Sequence, residues 1–120
     1  MKILITALND DLNSKLDTRF GRGNWWYIYN TDEEKGEFVN NDKNATLAHG
    51  AGVQAASDII NLGVNVLITG SVGPKAYEVL KNSCIKMYKG YADLTIKENL
   101  DAFLKNSLEE IHGPSSPHMG

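Results

Sequence analysis

A short apolar run near the start of the chain, Lys-Ile-Leu-Ile-Thr-Ala-Leu at residues 2–8, constrains the fold more than any other feature. It lacks the regular polar alternation of a strand with one face in water, so it predicts a strand buried on both faces. Such a strand needs a layer of secondary structure on each side of its sheet. A chain of 120 residues is long enough to supply both layers as one domain.

The remaining patterns predict a hairpin region followed by alternating helices and strands. Aromatic and β-favouring residues indicate strands, and apolar residues at helical spacing, bounded by Gly63 and Pro74, indicate helices. The predicted elements are strand 25–30, turn 31–36, strand 37–40, helix 49–62, strand 64–69, helix 74–82 and strand 85–88.

The last predicted helix has the clearest signal. Thr95 and Glu98 match a capping box, and apolar residues recur at helical spacing from Ile96 to Ile111. The predicted order is therefore βββαβαβα, an α/β domain of the ribonuclease H-like type with a mixed sheet flanked by three helices. This domain is predicted to cover residues 1–111, and the Pro-, Gly- and Ser-rich segment 112–120 is predicted to be disordered.

Composition narrows the function classes. The formal net charge of -3 weighs against nonspecific nucleic-acid binding, which depends on a basic face. The chain has no apolar run near the ~18 to 20 residues of a membrane span and no export leader, so a cytoplasmic protein is expected. Its single cysteine, Cys84, allows no intrachain disulfide and is expected to be buried as a small hydrophobe.

The first candidate segment is Asp-Thr-Arg-Phe-Gly-Arg at 17–22, which ends a long polar loop. Arg19 and Arg22 carry the side chain best suited to a bidentate grip on an anion. The alternative is that Arg19 pairs with the aspartate two residues before it, while Phe20 fills the edge of the core.

The second candidate segment, His49-Gly-Ala-Gly at 49–52, stands at the start of a predicted helix. Gly50 and Gly52 cost helix stability, by roughly 1 kcal/mol each at interior positions. Such a cost is tolerable where the backbone comes close to another group. His49 can bind a metal or donate to an anion; the alternative is an exposed histidine without a partner.

The third candidate segment, Gly-Ser-Val-Gly-Pro-Lys at 70–75, joins a predicted strand to a predicted helix. Gly70 and Gly73 allow close approach of a ligand to the backbone, and free N–H groups at a helix start attract anions. Lys75 in the first helical turn opposes the helix dipole unless an anion also lies there. The alternatives are a tight connection that needs unusual dihedral angles, and a solvated Lys75.

These segments are expected to converge at the carboxyl edge of the sheet, where open α/β folds bind their ligands. As a set, in this order and spacing, they resemble the dinitrogenase iron–molybdenum cofactor biosynthesis family over about residues 1–108. Two departures from the family pattern are the paired Trp25-Trp26 and the lack of a cysteine in all three segments.

The resemblance implies a small accessory or carrier protein, not an enzyme, that binds an anionic iron–sulfur or iron–molybdenum cluster. Implied partners are cluster donor or acceptor proteins and a second copy of the chain, with neither nucleic acid nor membrane. His49 becomes the candidate metal ligand. The full set of candidate cofactor-binding residues is Arg19, Phe20, Gly21, Arg22, His49, Gly50, Gly52, Gly70, Gly73 and Lys75.

Two other function classes remain open from the residues. A two-metal nuclease of this fold needs a carboxylate on the first strand, and residues 2–8 contain none. A small-anion or nucleotide-binding regulatory module would use the same cleft, with Trp25 or Trp26 as a stacking face, although core packing is the commoner fate of such side chains.

Overall fold

The computed structural model describes residues 1–115, which form ten elements around one sheet. In chain order these elements are β1 (Lys2–Ala7), β2 (Trp25–Asn30), β3 (Lys35–Asn40), α1 (Asp42–Ala45), α2 (Ala51–Asn61), β4 (Val66–Thr69), α3 (Pro74–Asn82), β5 (Lys86–Lys89), α4 (Ile96–Leu104) and β6 (Glu109–Glu110).

The sheet has six strands in the order β3-β2-β1-β4-β5-β6. Strand β1 pairs antiparallel with β2 and parallel with β4, so that Leu4 lies between Ile28 and Leu67. Strands β4 and β5 are parallel, whereas the outer pairs β2–β3 and β5–β6 are antiparallel. The predicted mixed sheet and α/β class are confirmed.

Strand β1 is buried on both faces, as its unbroken apolar run predicts. Leu4 belongs to a core cluster that contains the inner faces of α2 and α3. Its neighbours Ile3 and Ile5 belong to a second cluster with Ile96 and Leu100 of α4. Because successive side chains on a strand point to opposite faces, helices cover both sides of the sheet centre.

Two short elements depart from the predicted order βββαβαβα. Helix α1 has four residues and lies in a polar stretch without helical periodicity. The Asn41 amide just before it donates to the carbonyls of Gly21 (3.2 Å) and Gly23 (2.8 Å). Helix α1 therefore depends on tertiary hydrogen bonds that no local pattern reveals, and strand β6 similarly forms by pairing with β5. The ribonuclease H-like strand order stays a prediction.

The prediction that the last helix continues to residue 111 is wrong, although its start is correct. Both hydrogen bonds of the Thr95–Glu98 capping box are present, at 3.1 and 2.9 Å. Helix α4 ends at Leu104 because Asn106 adopts a left-handed φ of 59° and the Ser107 N–H bonds the Ala102 carbonyl at 2.8 Å. The remaining apolar residues of the stripe, Leu108 and Ile111, flank β6 instead of extending α4, and pack on the two core clusters.

The carboxyl-terminal segment returns towards the start of α3. The Ser115 N–H and hydroxyl both donate to the Val72 carbonyl, at 2.8 and 3.2 Å. The predicted disorder concerns 112–120, and residues 116–120, with His118, lie outside the described residues. Within residues 1–115, the longest helix has 11 residues, too few to cross a bilayer.

Candidate functional site

The connections that follow β1 and β4 meet the start of α2 at one edge of the sheet. Helix α2 begins at Ala51 and helix α3 at Pro74, and the two starts lie side by side. A Cβ added at Gly52 would lie 3.4 Å from the Cβ of Ala76, an ordinary van der Waals distance, so the first turns of the two helices are in contact. The second and third candidate segments are therefore neighbours, as predicted.

The first candidate segment is held by a buried carboxylate. Asp17 is 2% exposed and accepts hydrogen bonds from the Arg19 backbone N–H (2.9 Å), Nε (3.0 Å) and Nη2 (2.9 Å). The side-chain hydrogen bond and the charge of Asp17 both raise the pKa of Arg19. The guanidinium is therefore held in an internal pair and does not line the groove described below. The alternative reading of Arg19 is the one observed.

Phe20 also follows the alternative reading in part, because it is buried in the core cluster beneath α2 and α3. It nevertheless contributes to the groove between these helices. One side chain therefore packs the core and supplies an apolar wall.

Arg22 reaches across to the connection between α1 and α2. Its Nη1 donates to the carbonyls of Ala45 (3.2 Å) and Leu47, and its Nη2 lies 3.5 Å from the Ala48 carbonyl. A guanidinium carries five N–H donors, so these contacts leave donors available to an anion. Arg22 thus fixes the connection that leads to His49 and also adds positive charge to the groove.

Two of the candidate glycines are explained by packing within the chain. Gly21 has a φ of +91°, and a Cβ there would come within 2.7 Å of the Gly52 Cα. A Cβ at Gly70 would come within 2.6 Å of the Thr18 Cα. Both glycines let the 17–22 loop lie directly against the other two segments, so they position the site without facing a ligand.

The resulting groove has a volume of about 510 Å³ and is lined by residues 50–53 and 73–76 with Phe20 and Arg22. Within residues 1–115, its charged lining residues are Arg22 and Lys75, both cationic, and the lining includes no carboxylate. Most of the other lining groups are apolar or glycine. The groove therefore carries positive charge, and its surroundings are otherwise mostly apolar.

The starts of α2 and α3 add partial positive charge to this groove. The cap residues, Gly50 and Gly73, offer no side-chain hydrogen bond to either helix. The first backbone N–H groups of each helix have no partner within the helix, and the aligned peptide dipoles favour an anion there. Pro74 has no N–H, so the contribution of α3 starts at Lys75.

His49 is exposed and is not among the groove-lining residues. Among residues 1–115, no group of three or more His, Cys, Asp or Glu side chains is arranged to hold a metal ion. The metal-ligand role of His49 therefore stays a prediction. Of the ten candidate residues, six line the groove: Phe20, Arg22, Gly50, Gly52, Gly73 and Lys75.

Sequence reasoning missed four further lining residues and a buried pair. Ala51, Val53 and Ala76 read only as apolar helix positions and Pro74 only as the first residue of a helix, and nothing in their spacing distinguishes a groove wall from core. Thr6 and Thr69 share a 2.8 Å hydrogen bond, and Thr6 also donates to the Asp17 carbonyl at 2.6 Å. A threonine near the end of each of two neighbouring buried strands is the only sequence signal for this anchor.

The expectation that Cys84 is buried is wrong. Cys84 is exposed and adopts a left-handed φ of 61°, and its N–H bonds the Lys81 carbonyl at 3.0 Å to close the end of α3. It lines a separate depression that also includes His112. The thiol is therefore not available to the groove.

Comparison with known proteins gives a family and several solved relatives. The family model described as dinitrogenase iron-molybdenum cofactor matches residues 1–106. An uncharacterized protein of Methanocaldococcus jannaschii is 37% identical over 115 residues, 92% of this chain and 94% of that protein.

Two solved structures cover nearly the whole chain. The apo form of the orange protein from Desulfovibrio gigas superposes with a TM-score of 0.90 at 34% identity, covering 96% of both chains. A protein from Thermotoga, provisionally named as NifB, gives a TM-score of 0.83 at 32% identity and covers 97% of both chains.

Proposed function

The chain belongs to the dinitrogenase iron–molybdenum cofactor family, and we propose that it binds an anionic metal–sulfur cluster, of iron–sulfur or molybdenum- and iron-containing type, for assembly or transfer. The cluster is cargo, received from a donor protein and passed to an acceptor in the cytoplasm. The observation that carries this proposal is the groove of about 510 Å³ whose charged lining residues, Arg22 and Lys75, are both cationic.

The groove would bind an anion through backbone N–H groups and cationic side chains in mostly apolar surroundings. Each favourable interaction between an anion and a helix start contributes about 0.3 to 1 kcal/mol, and more where the site is partly buried. Two helix starts and two cationic side chains act on one guest here. The apolar walls formed by Phe20 and Val53 favour a large anion whose charge is spread over metal-bound sulfides, and which is therefore weakly hydrated, over a small, strongly hydrated one.

The donor set decides which kind of cluster fits. Iron–sulfur clusters that a protein ligates directly depend on cysteine thiolates. The only cysteine, Cys84, lines a different depression from the groove. The groove therefore fits a complete cluster held through its outer sulfides by N–H and guanidinium donors, and it does not fit one that needs cysteine ligands from this chain.

The same lining favours a carrier over an enzyme. General acid–base or nucleophilic catalysis most often uses a carboxylate, imidazole, thiol or hydroxyl group beside the substrate, and lysine serves when it is desolvated. Lys75 is exposed. The residues that line the groove supply a guanidinium and an ammonium, groups that bind and orient anions. Binding and release are the functions this chemistry serves.

His49 is the residue whose role is most open to test. His49 directly precedes Gly50, which lines the groove. The Arg22 Nη2 lies 3.5 Å from the carbonyl of Ala48, the residue before His49. If the imidazole binds a metal of the guest, His49→Ala weakens cluster binding at least about tenfold. An unchanged affinity removes His49 from the site and leaves the groove intact.

The proposal is tested by anaerobic reconstitution with iron, sulfide and molybdate, followed by metal analysis and an absorption spectrum. The double variant Arg22→Ala/Lys75→Ala is compared with Lys97→Ala/Lys105→Ala, which removes the same charge from exposed positions in and directly after α4. We expect the first pair to lose cluster binding at least about tenfold and the second to bind as the unaltered protein does. Equal binding by both variants contradicts the proposal.

A small-anion or nucleotide-binding module is the second candidate. Trp26 is 2% exposed and packed in the core, so it offers no stacking face to a nucleotide. Thermal shifts with phosphate, nucleotides and molybdate, compared with those from the reconstituted cluster, separate the two functions. A larger shift with phosphate or nucleotide than with cluster favours the small-anion or nucleotide-binding module.

Measuring the molecular mass of the protein with and without cluster tests the predicted homodimer.

A further inference from the structure

Neither the backbone conformation nor the packing requires a glycine at position 73. Its φ of -67° and ψ of 164° are extended values that any residue adopts. Among residues 1–115, a Cβ built at Gly73 meets no atom within 4 Å. Gly21 and Gly70, by contrast, would each place a Cβ against backbone, and Gly50 has a left-handed φ of 76°.

Position 73 is also the N-cap of α3. Glycine is accepted at an N-cap, but serine, aspartate and asparagine are modestly better there because their side chains accept from an N–H of the first turn. The conformation of Gly73 suits such a cap, yet α3 has no side-chain cap. Helix α4, whose inner face packs in the opposite core cluster, has a complete capping box at Thr95.

We infer that Gly73 is a ligand-specificity residue, one that keeps the α3 side of the groove free for a bulky anion at a cost in stability. This inference rests on the proposed function, because it concerns the same groove. Gly73 is itself part of the groove lining. A side chain there would fill space in the groove, and a serine would in addition occupy an N–H group that the guest would otherwise bind.

The consequence is a measurable exchange of stability for binding. Gly73→Ser supplies the missing cap, and its Cβ meets no other atom of residues 1–115, so the Tm rises by about 1 to 3 °C. The same substitution narrows the groove and weakens anion binding by about tenfold or more. Gly73→Val, a poorer N-cap than glycine, lowers the Tm by about 2 to 4 °C and weakens binding at least as much.

The experiment measures Tm and the affinity for tetrathiomolybdate, an anionic metal sulfide, in the full chain. Gly113→Ser serves as one control, because Gly113 also has open space but lies away from the groove. Thr95→Ala serves as the other: it removes the side-chain cap of α4, lowers the Tm and leaves the affinity unchanged. Stability and binding are thereby separated.

Each outcome decides the inference. A more stable Gly73→Ser that binds tetrathiomolybdate less well supports it, provided that the controls bind as the unaltered protein does. Unchanged affinity in Gly73→Ser and Gly73→Val overturns the role of Gly73 while leaving the proposed function standing. A Tm fall of more than ~5 °C in both variants shows that the position is not open and overturns the inference as well. If the unaltered protein binds neither tetrathiomolybdate nor reconstituted cluster, the proposed function and the inference both fail.

Discussion

Gly21 offers the strongest test of how the three segments converge, because its missing side chain lets the 17–22 loop touch the start of α2. Its φ of +91° lies in the region that non-glycine residues rarely adopt. In Gly21→Ala the new Cβ would lie 2.7 Å from the Gly52 Cα and 2.8 Å from the Gly52 N. Both contacts are with backbone at the first turn of α2, so a change of side-chain rotamer cannot relieve them.

The magnitude follows from two contributions. A left-handed conformation costs a non-glycine residue about 1 to 2 kcal/mol, and forcing an extra group into a packed region costs about 1 to 3 kcal/mol. Gly21→Ala is therefore expected to lower the free energy of unfolding by about 2 to 5 kcal/mol. For a domain of this size, the Tm falls by roughly 8 to 20 °C.

The assay is urea denaturation with thermal unfolding, and Gly113→Ala is the matched control. A Cβ at Gly113 meets no atom of residues 1–115 within 4 Å, so that variant should stay within about 0.5 kcal/mol of the unaltered protein. A loss below about 0.5 kcal/mol in Gly21→Ala would refute the claim that the loop lies directly on α2. Where the variant still folds, its groove should also bind tetrathiomolybdate less well, since Arg22 follows directly in the chain.

Three further predictions concern other parts of the fold. The hydrogen bond from the Asn44 side chain, together with Gln54 and Lys43, lowers the pKa of Asp58 below 3.8. Asp58→Asn should therefore destabilise the protein at pH 7. The difference in the free energy of unfolding between the two proteins should vanish as the pH falls through the lowered pKa. Because this pKa is depressed in the folded state, urea titrations that find a constant difference from pH 7 to pH 2 would contradict the assignment. Cys84→Gly should raise the free energy of unfolding by up to about 1 kcal/mol by relieving the left-handed φ of 61°, and should leave cluster loading unchanged. Asn106→Ala should cost about 0.5 to 1 kcal/mol at the end of α4 for the same conformational reason, as measured by urea denaturation.

Patterns that act within one element predicted the fold well. The apolar run of β1 indicates burial on both faces, the Thr95–Glu98 spacing indicates a capped helix, and Gly63 ends α2 with a φ of 77°. Each of these signals depends on residues a few positions apart, so the chain carries it without knowledge of tertiary contacts. The end of α4 was missed because Leu108 and Ile111 continue the helical spacing by coincidence. These two residues flank β6 and pack on the core clusters from there.

The position of the groove was predictable from the sequence, whereas the role of each residue was less so. Arg and Gly residues at strand and helix ends indicate an anion site, and the three segments do meet at one edge of the sheet. Whether a given arginine faces a ligand depends on distant partners: Arg19 is held by Asp17, whereas Arg22 bonds carbonyls more than twenty residues away. Glycines pose the same problem, since only coordinates separate Gly70, packed on Thr18, from the open Gly73.

The most direct test of the central claim locates the guest on the protein. Backbone amide NMR shifts recorded while tetrathiomolybdate is titrated report which N–H groups it contacts. We expect the largest changes at Ala51, Gly52, Val53 and Lys75, whose backbone N–H groups lie in the first turns of α2 and α3, and we expect these changes to disappear in Arg22→Ala/Lys75→Ala. Changes centred on the β2–β3 hairpin or around Cys84, with those four amides unmoved, would contradict it.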